Sequence, residues 1–132
     1  SLTIVQFLKK CSVFETFTPT LLADVAGKMQ RETHPAGTVI IKQGDEGDKF
    51  YIIRRGKLDV LKESMGKVDV VATLEAGAVF GELALLRKEP RAATVKSVEE
   101  VELLTLSKDI FMDVIQRSAS FEEQLRRVYF AR

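Results

Sequence analysis

At 132 residues the chain has the size of one compact domain with one core, and a hydrophobic share of 45% beside 30% charged residues excludes the composition of a disordered segment. Twenty Lys and Arg stand against 19 Asp and Glu, so no basic field is available to draw a nucleic-acid backbone, and no nucleic-acid partner is expected. One cysteine, Cys11, permits neither an internal disulfide nor a cysteine-built zinc site, and no apolar run approaches the roughly 20 residues of a membrane-spanning helix.

Residues 1–32 read as helices. A short apolar helix is expected around Ile4 to Leu8, followed by a second in which Thr18 caps, Pro19 opens, and Leu22, Val25, Ala26 and Met29 recur at helical spacing. Gly27 interrupts that helix and is expected to mark close packing against another element. Cys11 reads as a buried, inert thiol.

From Thr33 to Leu106 the grammar changes to short apolar runs separated by Gly-bearing turns, and seven of the eight glycines fall between Gly37 and Gly81. Strands are expected at Thr38 to Ile41, Phe50 to Ile53, Leu58 to Lys62, Val68 to Leu74, Thr94 to Val98 and Val101 to Leu106. Connections this short favour antiparallel neighbours. The fold class that follows is mainly β with flanking helices: an antiparallel, cupin-like jelly-roll barrel over residues 33–106 with N- and C-terminal α-helices, the whole of 1–132 forming one domain.

Over residues 107–132 the helical period returns. Ile110, Phe111, Val114 and Ile115 make one apolar face, and Ser120 with Glu123 matches a capping box for a last helix bearing Phe121, Leu125, Val128 and Tyr129. This helix either packs on the barrel or swings over its opening. The pattern runs through Phe130 to Arg132 with no Gly or Pro stop, from which a longer parent is expected. The N-terminus lacks a positively charged signal head. The expected location is the cytoplasm, including the cytosolic part of a membrane protein, without direct membrane insertion.

One segment, Phe80 to Thr94, breaks the strand pattern. Gly81 allows a close backbone approach, residues 82–86 are good helix formers, and amides near that helix start can converge on an anion. Pro90 ends the excursion and Arg91 follows with a planar, permanently charged fork suited to two phosphate oxygens. Glu82 only accepts hydrogen bonds and Arg91 only donates them, so the pair describes a ligand with hydroxyl and phosphate groups close together, as in a ribose cyclic phosphate. The alternative is an ordinary salt bridge beside a loop.

Phe80-Gly81-Glu82-Leu83-Ala84-Leu85, then Pro90-Arg91-Ala92-Ala93-Thr94-Val95, resembles the phosphate-binding cassette of the cyclic-nucleotide-binding domain family, most closely in its form from cAMP-dependent kinase regulatory subunits. Gln43 to Asp48 leading into Phe50 to Ile53, and Gly56 to Val60, are similar to the same family, so the resemblance spans essentially the whole chain. It implies that Glu82 holds the ribose 2'-hydroxyl, Arg91 binds the cyclic phosphate, and backbone amides of Gly81, Leu83, Ala84 and Ala92, with Ala93 beside them, complete the cradle. It further implies that Asp48 couples to the arginine, that Val60 lies near the base, and that Tyr129 or Phe130 caps it. For Asp48 the other reading is a turn aspartate, and for Val60, Tyr129 and Phe130 ordinary packing. Domains of this kind that prefer cGMP commonly carry a threonine after the arginine; Ala92 offers no hydroxyl, which favours cAMP as ligand with cGMP as the second candidate.

The expected function is a regulatory module in which nucleotide biases the terminal helices and hence an effector: a kinase catalytic subunit, channel, exchange factor or transporter. Neither catalysis nor a cofactor is expected. A cupin-type metal enzyme would need several His or acidic ligands, and His34, the one histidine, sits before Pro35 where a surface or turn role is expected. The rivals are a ligand-independent interaction scaffold and a cGMP-selective domain of a kinase or channel. A DNA-binding regulator would need a helix-turn-helix domain for which residues after Ser107 leave no room.

Overall fold

The computed structural model describes the backbone from Thr3 to Ala131 and the side chains as far as Tyr129. It begins with helix α1 (Ile4–Leu8), whose start is closed by a reciprocal pair: Gln6 N donates to Thr3 Oγ1 at 3.2 Å and Thr3 N donates to Gln6 Oε1 at 3.1 Å. A 3-10 turn at Ser12–Phe14 leads to α2 (Pro19–Lys28), where Leu21 N donates to Thr18 Oγ1 at 3.2 Å and Pro19 occupies the first position. Cys11, just before the 3-10 turn, is buried, and burial pushes its thiol up to about 11.

Gly27, near the end of α2, departs from expectation: a Cβ built there meets nothing within 4 Å, so no neighbour demands a glycine. Gly27→Ala is therefore expected to stabilise the chain by up to about 1 kcal/mol, read as a higher urea midpoint at unchanged slope.

Among the described residues eight strands follow: β1 (Gln30–His34), β2 (Val39–Ile41), β3 (Lys49–Arg55), β4 (Leu58–Ser64), β5 (Lys67–Leu74), β6 (Val79–Phe80), β7 (Thr94–Ser97) and β8 (Val101–Ser107). They form two antiparallel sheets, β1-β8-β3-β6 and β2-β7-β4-β5, the jelly-roll arrangement expected. The strands start at Gln30, inside the stretch 1–32 assigned to helices. β1 reads Gln-Arg-Glu-Thr-His with no apolar alternation because it is a sheet edge, held by its ladder to β8 from Gln30↔Thr105 to His34↔Val101.

The central strands β3 and β8 are covered on both faces, which is why Phe50 to Ile53 and Leu103 to Leu106 read as near-continuous apolar runs. Tyr51, Ile53 and Leu103 point between the sheets onto Leu58, Leu74, Phe80 and Val95. Phe50, Ile52, Leu104 and Leu106 point the other way, into a helical layer. That layer includes α4 (Lys108–Arg117), with Ile110 N donating to Ser107 Oγ at 3.4 Å, and α5 (Ala119–Ala131). Ser120 is not the cap of α5: the helix already includes Ala119, and the Ser120 hydroxyl lies 2.7 Å from Thr16 Oγ1, tying the helix to the segment after the 3-10 turn.

Phe121 on α5 meets Phe14, Phe17, Phe50 and Phe111 at centroid distances of 5.6, 5.2, 6.0 and 5.8 Å. One ring thus joins the N-terminal turn, the barrel and both C-terminal helices. Among the described residues no helix is long and apolar enough to cross a membrane.

Candidate functional site

Between β6 and β7 the chain forms a short helix, α3 (Glu82–Arg87), entered through Gly81 at φ 89°. Only glycine fits: a Cβ would stand 2.8 Å from Arg91 Nη1, 3.1 Å from the Lys49 carbonyl oxygen and 3.2 Å from Tyr51 Cδ1. The helix leaves through Lys88 at φ 54° and ψ 41°, a left-handed conformation that costs a residue with a Cβ about 1 kcal/mol or more. Lys88→Gly is expected to return about 1 kcal/mol of stability, measured as a shift of the urea midpoint.

Arg91 is held on three sides. Its backbone N donates to the Asp45 carbonyl at 2.7 Å and its own carbonyl accepts from Gly44 N at 2.8 Å, which staples the cassette to the turn between β2 and β3. Its side chain is 4% exposed, with Nη1 donating to the Gly81 carbonyl at 2.6 Å and Nη2 to the Lys49 carbonyl at 2.9 Å. Burial lowers its pKa, while Tyr51, Asp48 and Glu82 act in the opposite direction. Gly47 crosses directly beneath, and a Cβ there would lie 2.7 Å from Ala84 Cβ and 3.1 Å from Arg91 Cζ.

Glu82 opens α3 and is 1% exposed, a carboxylate drawn into the wall of a cavity. That cavity, about 70 Å³, is lined by Gly81, Glu82, Leu83, Ala84, Arg91, Ala92 and Ala93 of the cassette, by Val60 of β4, and by Ile41, Phe80 and Val95. The residues expected from the cassette and Val60 thus converge, although they come from separate parts of the chain. Ile41, Phe80 and Val95 were not expected as lining; as strand residues of ordinary apolar type they carry no sequence signal separating a pocket floor from core. Chemically, the cavity sets a permanent donor and a buried acceptor at the edge of an apolar floor.

Asp48 is exposed and faces the other side of Arg91, in a hollow shared with Asp45, Glu46 and Tyr51. Its carbonyl accepts from Lys108 N at 3.0 Å, linking the turn to the start of α4. Tyr129 does not line the cassette cavity. It lies across a neighbouring cavity of about 320 Å³ between α3 and α5, where the Arg87 guanidinium carbon is 5.6 Å from its ring centroid. Glu82 and Leu83 belong to both cavities. The side chain of Phe130 lies outside the described residues. His34 pairs with Glu32 at 2.9 Å on β1, away from the cassette.

A family model described as the cyclic nucleotide-binding domain matches residues 31–118, and the chain belongs to that family. It is similar to the cAMP-dependent protein kinase regulatory subunit of Pyricularia oryzae, 35% identical over 110 residues that make up 83% of this chain and 28% of that protein. Among solved structures it is similar to the regulatory domain of Toxoplasma gondii PKA crystallised with cAMP, with a TM-score of 0.80 and 36% identity over 84% of this chain and 42% of that one. It is also similar to the catabolite activator protein of Thermus thermophilus, with a TM-score of 0.82 and 28% identity over 91% of this chain and 57% of that one. The chain spans about a quarter of the length of the curated relatives it matches.

Proposed function

We propose that the chain is a single regulatory module that binds cAMP in preference to cGMP and, without catalysing a reaction, transmits occupancy through its terminal helices to a kinase catalytic subunit in the cytoplasm. The observation that carries this reading is the convergence of buried Glu82 and Arg91 with the backbone of Gly81, Leu83, Ala84, Ala92 and Ala93 on one small cavity. Glu82 accepts from the ribose 2'-hydroxyl, Arg91 binds the cyclic phosphate, and the amides of Gly81, Leu83, Ala84 and Ala92 share its charge. Val60 offers an apolar contact to the base. The base cap in this reading is Tyr129 or Phe130 of the last helix; Tyr129 borders the cavity next to the cassette, so capping requires α5 to shift toward it.

Coupling follows from shared parts. Asp48 places its charge near Arg91 and its carbonyl on α4, while Glu82 and Leu83 face both ligand and α5. A ligand that binds one helix arrangement better shifts the population toward it. The relatives named as kinase regulatory subunits support the choice of effector.

Calorimetric titration of cAMP and cGMP side by side tests this. Tighter cAMP binding is expected, since Ala92 has no hydroxyl to offer a guanine; equal affinities would remove that argument. A chain that titrates with neither nucleotide would be the ligand-independent interaction module instead.

A further inference from the structure

The carbonyls of Gly81 and Lys49 hold the Arg91 guanidinium by its two terminal nitrogens, which anchors the fork from the backbone. Tyr51 lies beside the same group. Its ring is 5% exposed and stacks on Phe80 with centroids 4.7 Å apart and planes 4° from parallel. The Arg91 guanidinium carbon lies 6.0 Å from its centroid, at the range where a ring face attracts a cation. The two acceptors that hold Arg91 are built from the same neighbourhood: Lys49 precedes Tyr51 on β3, and Gly81 follows Phe80, the residue registered opposite Tyr51.

The ring also crowds Gly81, its Cδ1 being 3.2 Å from the position of a Cβ. Away from the arginine, Tyr51 belongs to the inter-sheet cluster with Ile53, Leu58 and Leu103. Tyr51 thus contacts or abuts Phe80, Gly81 and Arg91 together, from a scaffold strand rather than from the cassette.

We propose that Tyr51 is a positioning residue for Arg91, its ring face setting the plane of the guanidinium so that the fork is pre-aligned for an anionic ligand; this rests on the phosphate role of Arg91 given above. The role belongs to the ring and not to the hydroxyl. Leucine would fill much of the space without a negative face, whereas phenylalanine would keep the face.

The test uses the 132-residue chain and two readouts: cAMP affinity by calorimetry, and the side-chain Nε–H resonance of Arg91 by NMR without nucleotide. Tyr51→Phe is expected to keep both, with affinity within about twofold of the parent chain. Tyr51→Leu is expected to lose about tenfold in affinity and to move the Arg91 resonance away from its ring-shielded position. If Tyr51→Leu melts too early to titrate, replacing Tyr51 with pentafluorophenylalanine keeps the shape, removes the negative face, and is expected to give the same loss. Unchanged affinity in the variant without a negative ring face, or lost affinity with the Arg91 resonance unmoved, would overturn the proposal. A parent chain that shows the shielded Arg91 resonance but no cAMP binding would instead bring down the phosphate role, and the positioning role with it.

Discussion

Arg91→Ala is expected to weaken cAMP binding by about 1.5–3 kcal/mol, roughly ten- to more than a hundredfold, the range for a hydrogen bond to a charged group. The guanidinium is 4% exposed, so its field at the cavity is poorly screened by solvent and the effect should persist at moderate salt. Alanine also leaves the Gly81 and Lys49 carbonyls without their donor, so part of the damage will appear as lost stability of the unliganded chain. Arg91→Lys separates the two: it returns a positive charge but not the planar fork, and should recover little of the affinity. Glu82→Ala is expected to cost about 1–3 kcal/mol by removing the buried acceptor proposed for the sugar. Calorimetric affinities unchanged in both alanine variants would refute the site.

How much of this was legible beforehand depends on whether a residue's role is local. The cassette was readable because Gly81, Pro90 and the charged pair Glu82 and Arg91 each do something their residue type announces, and they lie within one short segment. Strands β3 and β8 were readable because their apolar runs are nearly unbroken. β1 was not, since its edge position leaves side-chain polarity uninformative and only the β8 ladder defines it. β6 was missed because two residues cannot show a period, though Val79 and Phe80 are both buried.

Long-range partners account for the remaining gaps. Ser120 looked like a cap by spacing, but its hydroxyl meets Thr16, 104 residues away. The Lys49 carbonyl that grips Arg91 is a backbone atom, invisible to any residue-type argument. Tyr51 has the sequence signature of one more strand aromatic, and only its place 6.0 Å from the Arg91 guanidinium carbon sets it apart. Gly27 shows the converse, a suggestive residue type with no structural demand behind it.

Phe121→Ala is expected to remove about 3–5 kcal/mol of stability, a large share of the 5–15 kcal/mol typical of a domain. Phe121 is fully buried and its ring touches four other phenylalanines, so alanine would open a cavity bounded by rings from the 3-10 turn, β3 and α4, none free to collapse into it. Phe121→Leu should cost much less, because it keeps most of the volume. Urea unfolding gives both values as midpoint shifts. The floor of the cassette cavity belongs to the separate inter-sheet cluster of Phe80 and Val95, so the loss falls on the packing of barrel against helices rather than on that floor. Tyr129 rides on α5, and its contact with Arg87 should loosen with that packing. A loss below about 1 kcal/mol would mean that α5 does not dock through Phe121 in solution, and the proposed coupling would then have to run through α4 and the Asp48 carbonyl.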